Sequence, residues 1–212
     1  HMKHMIAAGE LGEIQKIDKL IKKHKPKVIF HLAGQVAMST SLKNPDLDFQ
    51  GNVLSTINLL ESIRKFSKQT ILIFSSTNKV YGDLNDLNYS VKKTRFSIKG
   101  NFKGFSENNN LDFKSPYACS KGSADQYVLD YARVFNLNTI VFRHSSVYGG
   151  RQFFTYDQGW VGWFCAQAIK QKLLKKTKFS ITGNGKQVRD LVHIDDITRL
   201  YKLSFKNFKK LR

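Results

Sequence analysis

The hydrophobic residues of the chain form short unbroken runs that alternate with longer stripes of helical spacing. Short apolar runs with β-branched side chains are typical of buried strands. They predict strands over residues 28–33, 70–75, 139–143 and 179–181. Apolar residues that recur every three or four positions predict amphipathic helices. These helices cover residues 13–24, 46–66, 117–135 and 161–171, and a last helix starts near Asp195.

The alternation of strands and helices predicts the fold class. Such strands and helices form βαβ units, which assemble into an open parallel sheet with helices on both faces. We therefore expect an α/β protein with a doubly wound parallel sheet. Residues 82–114 are polar, rich in Asn, Lys and Gly, and without a clear period, so we predict that they are mostly loop.

Three segments that follow predicted strands are rich in small and polar residues. They are residues 34–40, 75–82 and 144–152. In open α/β sheets, ligands bind outside the carboxyl ends of the strands. A site is therefore expected where these segments meet the helix that begins near Tyr117. The alternative is that Ser and Gly are simply turn residues in these segments.

Tyr117 and Lys121 are a candidate catalytic pair. Ser115 followed by Pro116 is typical of a helix start, and residues four apart lie on one face of a helix. An ammonium group beside a phenol favours the phenolate, so we expect Lys121 to lower the pKa of Tyr117 from about 10 and make it a general base. An amphipathic helix that merely contains Tyr and Lys is the alternative.

The net charge and the composition of the chain limit the classes of binding partner that we expect. The 212 residues carry a formal net charge of +19, which is compatible with nucleic acid or with small anionic substrates. The lysines are spread along the chain rather than gathered in one stripe, so we expect an anionic small molecule and no nucleic acid. No apolar run approaches the length of about 20 residues that a membrane span needs, so no membrane is expected.

Cysteine and histidine usage argues against a metal site. The two cysteines, Cys119 and Cys165, and the six histidines show no ligand spacing, and the cysteines form no disulfide framework. We expect no metal and a reducing, cytoplasmic location.

Four motifs, in this order, resemble the extended short-chain dehydrogenase/reductase family. They are His31-Leu32-Ala33-Gly34, Phe74-Ser75-Ser76-Thr77-x-x-Val80-Tyr81-Gly82, Tyr117-x-x-x-Lys121 and the segment 183–196. The resemblance covers residues 14 to 201 and implies a Rossmann-like domain, bound NAD and a nucleotide-linked sugar as substrate. It also suggests a homo-oligomer that pairs through helices 46–66 and 117–135.

A narrower resemblance points to one branch of that family. Segments 75–83, 111–117, 124–133, 142–152 and 156–160 are similar to epimerases that act at carbon 2 of a CDP-linked dideoxyhexose. The similarity implies conversion of CDP-paratose to CDP-tyvelose in O-antigen or polysaccharide biosynthesis. Such an enzyme oxidises the carbinol to a ketone and then reduces the ketone on its other face.

The resemblance also implies roles for individual residues. The catalytic residues would be Thr77, which shares a proton with the substrate hydroxyl, Tyr117 as general base, and Lys121, which holds the NAD ribose. The cofactor would contact Leu32, Ala33, Gly34, Gln35, Asn52, Ser75, Ser76, Tyr117, Lys121 and His144. The substrate would contact Asn78, Ser146, Arg151, Gln152, Gln158 and Arg189, with Arg189 on the diphosphate.

Three other functions are weighed against this one. A nucleotide-sugar 4,6-dehydratase of the same family has Asp-Glu directly after the threonine, whereas this chain has Asn78 and Lys79. A UDP-sugar 4-epimerase of the same family is the better alternative. From another class, the chain could be a non-catalytic basic binding or scaffold protein.

One family motif is missing from the sequence. The family opens with a strand and a G-x-x-G-x-x-G loop that binds the pyrophosphate, and no such spacing precedes Gly34. We therefore expect a truncated enzyme that lacks its first βαβ segment and binds NAD weakly or not at all. Residues 3–160 are predicted to form a partial NAD-binding domain and residues 161–212 part of a small nucleotide-sugar-binding lobe.

Overall fold

A computed structural model describes residues 13–85, 87–100, 104–174, 181 and 183–211. The α-helices are α1 (Ile14–His24), α2 (Met38–Lys43), α3 (Pro45–Asp48), α4 (Ser55–Phe66), α5 (Pro116–Phe135), α6 (Trp160–Leu174), α7 (Ile194–Lys206) and α8 (Phe208–Leu211). The strands are β1 (Val28–His31), β2 (Ile71–Thr77), β3 (Tyr89–Val91), β4 (Phe96–Ile98), β5 (Asn138–His144), β6 (Ser146–Tyr148) and β7 (Leu191–His193).

The described residues form two compact units, the first of which comprises residues 13–77 and 115–143. Its three-stranded sheet has the order β1-β2-β5, and β1 runs parallel to β2 with Val28 opposite Ile71 and His31 opposite Phe74. Helices α1, α4 and α5 pack around a core that contains the fully buried Leu60. The predicted α/β architecture and these predicted elements are confirmed.

Local sequence signals fix the ends of α5. The Ser115 hydroxyl accepts a hydrogen bond from the Ala118 N–H (3.1 Å), and Pro116 occupies the first helical position. The helix ends at Asn136, whose left-handed backbone (φ 59°) lets its N–H donate to the Tyr131 carbonyl. The predicted start of this helix is therefore confirmed.

The predicted single helix over residues 46–66 is wrong in its middle. Between α3 and α4, the segment Phe49–Leu54 forms a π-helix. The Ser55 hydroxyl donates to the Gly51 carbonyl and the Thr56 hydroxyl to the Asn52 carbonyl, each at 2.6 Å. Hydroxyls that bond to the carbonyl one turn back compete with the regular ladder, which favours a wider turn at this place.

The prediction that residues 82–114 are mostly loop missed a hairpin. Strands β3 and β4 pair antiparallel, and the Lys92 N–H donates to the Arg95 carbonyl across the turn (2.9 Å). Each strand has only three residues, which is too short for the period of two to show in the sequence. The strands β6 and β7 were missed for the same reason, and the six-residue helix α2 is less than two turns long, too short to show a helical period. The strand predicted over residues 179–181 lies outside the described residues except for Ile181.

The second compact unit comprises the described residues within 78–114 and 144–211. Strands β6 and β7 pair parallel within it, with Val147 opposite Val192. One face of α7 buries Ile197, Tyr201 and Ser204. The sequence predicts NAD binding by residues 3–160 and nucleotide-sugar binding by residues 161–212. This assignment stays a prediction. None of the described helices has both the length and the apolarity that crossing a bilayer requires.

Candidate active site

Thr77 and Tyr117 meet at the carboxyl end of β2. Thr77 is the last residue of that strand, Tyr117 lies in the first turn of α5, and their side chains share a hydrogen bond. Two of the three predicted catalytic side chains are thus brought together by the strand end and the helix start.

The pKa of Tyr117 runs against the sequence prediction. Burial of the phenol raises this pKa, the hydrogen bond with Thr77 opposes the rise, and the negative charge of Asp48 adds to it. The net direction is upward from the usual value. The prediction that Lys121 lowers this pKa below its ordinary value is therefore wrong, because burial outweighs the favourable contacts.

Lys121 is buried and firmly held. Lys121 follows Tyr117 by four residues on the same face of α5, as predicted. The residue is 4% exposed, and its Nζ atom donates to the Ser75 carbonyl (2.5 Å). The ammonium also lies 4.4 Å from the centre of the Phe74 ring, a cation–π contact. Desolvation lowers the pKa of Lys121 to about 8, and Asp125 partly offsets that fall.

His31 ends β1 as a buried neutral imidazole. Its Nε2 atom lies 2.8 Å from the Thr56 hydroxyl. Burial and the charge of Lys121 lower the pKa of His31 to about 4. The ring also packs against Phe74, 5.3 Å between centroids. This histidine therefore supports the strand end rather than acting as an acid or base near neutral pH.

We expect His31 to make the protein less stable in mild acid. The unfolded chain binds a proton on this imidazole below about pH 6.5, whereas the folded protein does so only near pH 4, so stability falls as pH falls through this window. The loss should reach about 3 kcal/mol at pH 4, measured by urea unfolding. In His31→Gln the slope between pH 6.5 and 4 should be smaller, whereas exposed His24→Gln should keep the parent slope. Parallel curves for the parent and His31→Gln would refute the assignment.

Asn52 links the segment after β1 to α5. Its Nδ2 atom donates to the Gln35 carbonyl (3.0 Å) and to the Ser120 hydroxyl (2.9 Å), and Ser120 donates to the Tyr117 carbonyl (3.0 Å). The π-helix carries Asn52 into this position. Gln35 and Asn52, both predicted cofactor contacts, thus lie in one network with Tyr117.

The Asn52 side chain packs directly against Gly34. A Cβ atom added at Gly34 would overlap the Asn52 Oδ1 atom, closer than any ordinary nonbonded contact. The segment Leu32, Ala33 and Gly34 is otherwise exposed, with Leu32 59% exposed. The backbone at this strand end is therefore open to a ligand on one side and tightly packed on Asn52 on the other.

Gly34→Ala should destabilise the protein by about 1–3 kcal/mol, because Asn52 must leave its contacts with Gln35 and Ser120. Gly51→Ala is the matched control, since its new Cβ atom would lie 3.7 Å from Gln35, an ordinary contact. Urea unfolding of both variants measures the difference. Equal stability of the two variants would contradict the packing described at Gly34.

Asp125 and Arg143 form a buried ion pair that the sequence did not reveal. Arg143 donates from Nε and Nη2 to the two carboxylate oxygens (2.8 and 2.9 Å), and the Ser76 hydroxyl donates to the same carboxylate (2.7 Å). Asp125 is 0% exposed. The ion pair therefore holds β2, α5 and β5 together directly beside Thr77.

The predicted substrate contacts lie in the second unit. Arg151 and Gln152 line a cavity of about 310 Å³ together with Tyr148, Phe154 and Cys165. Arg189 is exposed and donates to the Gln187 side chain (3.3 Å), and Asn78 is exposed. The Ser146 hydroxyl lies 3.5 Å from Trp160 Nε1, and Gln158 pairs with Thr155 through its backbone.

His144, a predicted cofactor contact, lies 2.7 Å from the Tyr201 hydroxyl. The roles assigned to these residues stay predictions.

The described residues contain no group of three or more His, Cys, Asp and Glu side chains that could hold a metal ion.

Comparison with known proteins places this site in a family. A model of the NAD dependent epimerase/dehydratase family matches residues 3–211. The chain belongs to that family. The resemblance drawn from the four motifs is thereby confirmed, and with it the Rossmann-like fold.

Two curated members of the family and one solved structure are similar over most of this chain. CDP-paratose 2-epimerase from Salmonella typhi is 53% identical over 204 residues, which are 96% of this chain and 60% of that protein. A putative UDP-glucose 4-epimerase from Methanocaldococcus jannaschii is 32% identical over 90% of this chain and 56% of that protein. The structure of Thermus thermophilus UDP-glucose 4-epimerase in complex with NAD matches with a TM-score of 0.73 and 26% identity, over 93% of this chain and 58% of that one. This chain thus spans about 60% or less of the length of these family members.

Sequence reasoning missed the acidic residues that surround the site. Asp48 and Asp125 lie inside predicted helices, where a single carboxylate is usually a solvated residue. The four-residue spacing of Lys121 and Asp125 was a signal, because residues so spaced are neighbours on a helix. For Asp48, an acid in the first turn after Asn44-Pro45 is typical of any helix start, so nothing distinguished it.

Proposed function

We propose that this chain carries the catalytic centre of an NAD-dependent epimerase that converts CDP-paratose to CDP-tyvelose. The observation that carries the proposal is the contact between Thr77 and Tyr117 beside the buried Lys121 at the carboxyl end of β2. The 53% identity to the Salmonella typhi enzyme supports the choice of substrate. The activity of the whole protein is part of the proposal.

The strand ends fit a dinucleotide. The exposed backbone of residues 32–34, the absence of a side chain at Gly34 and the Ser75 carbonyl border one edge of the sheet. Asn52 Oδ1 is buried there without a hydrogen-bond donor among the described residues. We infer that these residues, with Gln35, Ser76 and His144, hold NAD. When bound, NAD would accept a hydride from the sugar carbon and return it to the opposite face.

The protein's own part is to move and hold a proton. The Tyr117 phenolate would take the proton of the substrate hydroxyl, with Thr77 sharing it, while the C–H electrons leave as hydride. The same proton would return to the oxygen when the ketone is reduced, so atoms and electrons balance without net redox change. Lys121 would hold the NAD ribose. Asn78, Ser146, Arg151, Gln152, Gln158 and Arg189 would bind the sugar nucleotide, with the last on the diphosphate.

The second candidate is a UDP-sugar 4-epimerase. The 32% identity to the Methanocaldococcus jannaschii protein favours it. A 4,6-dehydratase is less well supported, because Asn78 and Lys79 offer no carboxylate for the elimination of water.

Proton NMR of the sugar distinguishes these functions. The chain is incubated with NAD and CDP-paratose, and in parallel with NAD and UDP-glucose, and the Salmonella typhi enzyme serves as the positive control. Inversion at carbon 2 of CDP-paratose alone supports the proposal. Inversion at carbon 4 of UDP-glucose alone overturns it in favour of the second candidate. Calorimetric titration with NAD shows separately whether this chain binds the cofactor.

We also propose a cytoplasmic homo-oligomer that pairs through α4 and α5. Apolar side chains of α5, among them Tyr127 and Val134, are exposed along its length, which supports pairing. Cys119 and Cys165 are free and exposed thiols, which fits a reducing compartment. Light scattering during size-exclusion chromatography gives the oligomeric state.

A further inference from the structure

Asp48 is a buried carboxylate without a hydrogen-bond partner. It is the last residue of α3, 1% exposed, and neither carboxylate oxygen has a donor among the described residues. A charged group buried without partners costs several kcal/mol, so each such group in a folded protein calls for an explanation. Nothing in the proposed mechanism uses Asp48.

The position of Asp48 connects it to the catalytic helix. Helix α3 packs against α2 and against α5. The Ser41 hydroxyl of α2 accepts a hydrogen bond from the Tyr117 N–H (2.8 Å), so the two short helices are tied to the first turn of α5. The carboxylate of Asp48 is close enough to Tyr117 for its charge to raise the pKa of the phenol.

Other charged groups on the packed elements are compensated or exposed. They are Lys43 on α2, Asp46 on α3, Glu61, Arg64 and Lys65 on α4, and Lys121, Asp125, Asp130 and Arg133 on α5. Lys65 pairs with Glu61, and Asp130 pairs with Arg133. Glu61 pairs with Arg64, Asp125 pairs with Arg143, and Lys121 is held by the Ser75 carbonyl. Lys43 and Asp46 are exposed, and His31 on β1 is neutral above about pH 4. Among the described residues, Asp48 is thus a buried carboxylate that no hydrogen-bond donor and no ion-pair partner offsets.

We propose that Asp48 is a positioning residue that keeps the Tyr117 phenol protonated until positive charge enters the site. A negative charge in a poorly solvated place disfavours a second negative charge nearby, and a ligand cation would reverse that balance. Tyr117 would then become a base only when the site is occupied. This inference rests on the proposed role of Tyr117 as the base.

Fluorine NMR tests the coupling directly in the chain without cofactor or substrate. The tyrosines are replaced biosynthetically by 3-fluorotyrosine, and Tyr117→Phe identifies the resonance of residue 117. Fluorination acidifies the phenol, which brings its titration closer to the pH range of the folded protein. Asp48→Asn removes the charge at nearly constant volume, and Asp46→Asn on the same short helix is the matched control.

In Asp48→Asn, we expect about three times or more as much Tyr117 phenolate as in the parent at a fixed pH below the midpoint. Asp46→Asn should match the parent. Should Asp48→Asn fail to fold, as judged by circular dichroism, Asp48→Ser is titrated in its place.

A folded Asp48 variant that titrates like the parent overturns the proposal and leaves Asp48 a purely structural role. Because the titration needs neither NAD nor sugar, a shifted Tyr117 in a protein without epimerase activity would count only against the proposed function.

Discussion

Tyr117→Phe should lower the rate of the proposed carbon 2 inversion by about 100- to 10,000-fold, the usual contribution of a general acid–base group. The substitution removes one hydroxyl, whose contact with Thr77 is worth about 1 kcal/mol, so the protein should stay folded. The initial rate, followed by proton NMR of the sugar, measures the effect.

Tyr127→Phe is the control for this loss. Tyr127 lies on the same helix, but its side chain is exposed and away from the strand ends. Its variant should keep the parent rate within a factor of about two, because it removes one exposed hydroxyl and keeps the apolar ring. A Tyr117→Phe protein that retains a tenth or more of the parent rate would remove Tyr117 from the role of base.

Asp125→Ala should destabilise the fold by about 3–5 kcal/mol, because it leaves the guanidinium of Arg143 largely buried without its counter-ion. The Arg143 side chain is only 12% exposed, and Ser76 loses its acceptor at the same time. The pKa of Lys121 should also fall further, since Asp125 is the group that raises it. Urea unfolding at pH 7 measures the loss of stability.

Asp130→Ala provides the comparison on the same helix. Asp130 pairs with Arg133 at 3.4 Å, and both side chains are mostly exposed. Exposed pairs contribute about 0–1 kcal/mol, so this variant should unfold close to the parent. If the two variants lose the same stability, the buried ion pair does not hold the strand end. The double variant Asp125→Leu, Arg143→Met should recover part of the loss, because it removes both buried charges.

The sequence was sufficient wherever a local signal decided the structure. The strand β2 was visible from its apolar run and α5 from Ser115 and Pro116, and their juxtaposition followed from the rule for parallel sheets. Tyr117 and Lys121 therefore reached one site by prediction. Thr77 joined them through the family resemblance.

What the sequence could not supply depends on contacts between distant residues. The π-helix follows from competition between side-chain hydroxyls and the backbone ladder, which leaves the apolar spacing unchanged. Ser76 and Asp125 are 49 residues apart along the chain. The pKa of Tyr117 rises because the phenol is buried and because Asp48 lies nearby. The four-residue spacing between Tyr117 and Lys121 carries no information about either cause.

The contacts of Asn52 depend on the number of residues in the π-helix Phe49–Leu54. A residue removed from Phe49–Leu54 would let the segment continue as a regular α-helix, so α4 could still form its turns. Because the i→i+5 turn accommodates one more residue than an α-turn, the flanking helices would keep nearly their present orientation, but the side chains inside the segment would face other directions. Asn52 would then lose its hydrogen bonds to the Gln35 carbonyl and the Ser120 hydroxyl. Natural length variants at this point should be rare, and where they occur the polar residues facing α5 should change with them.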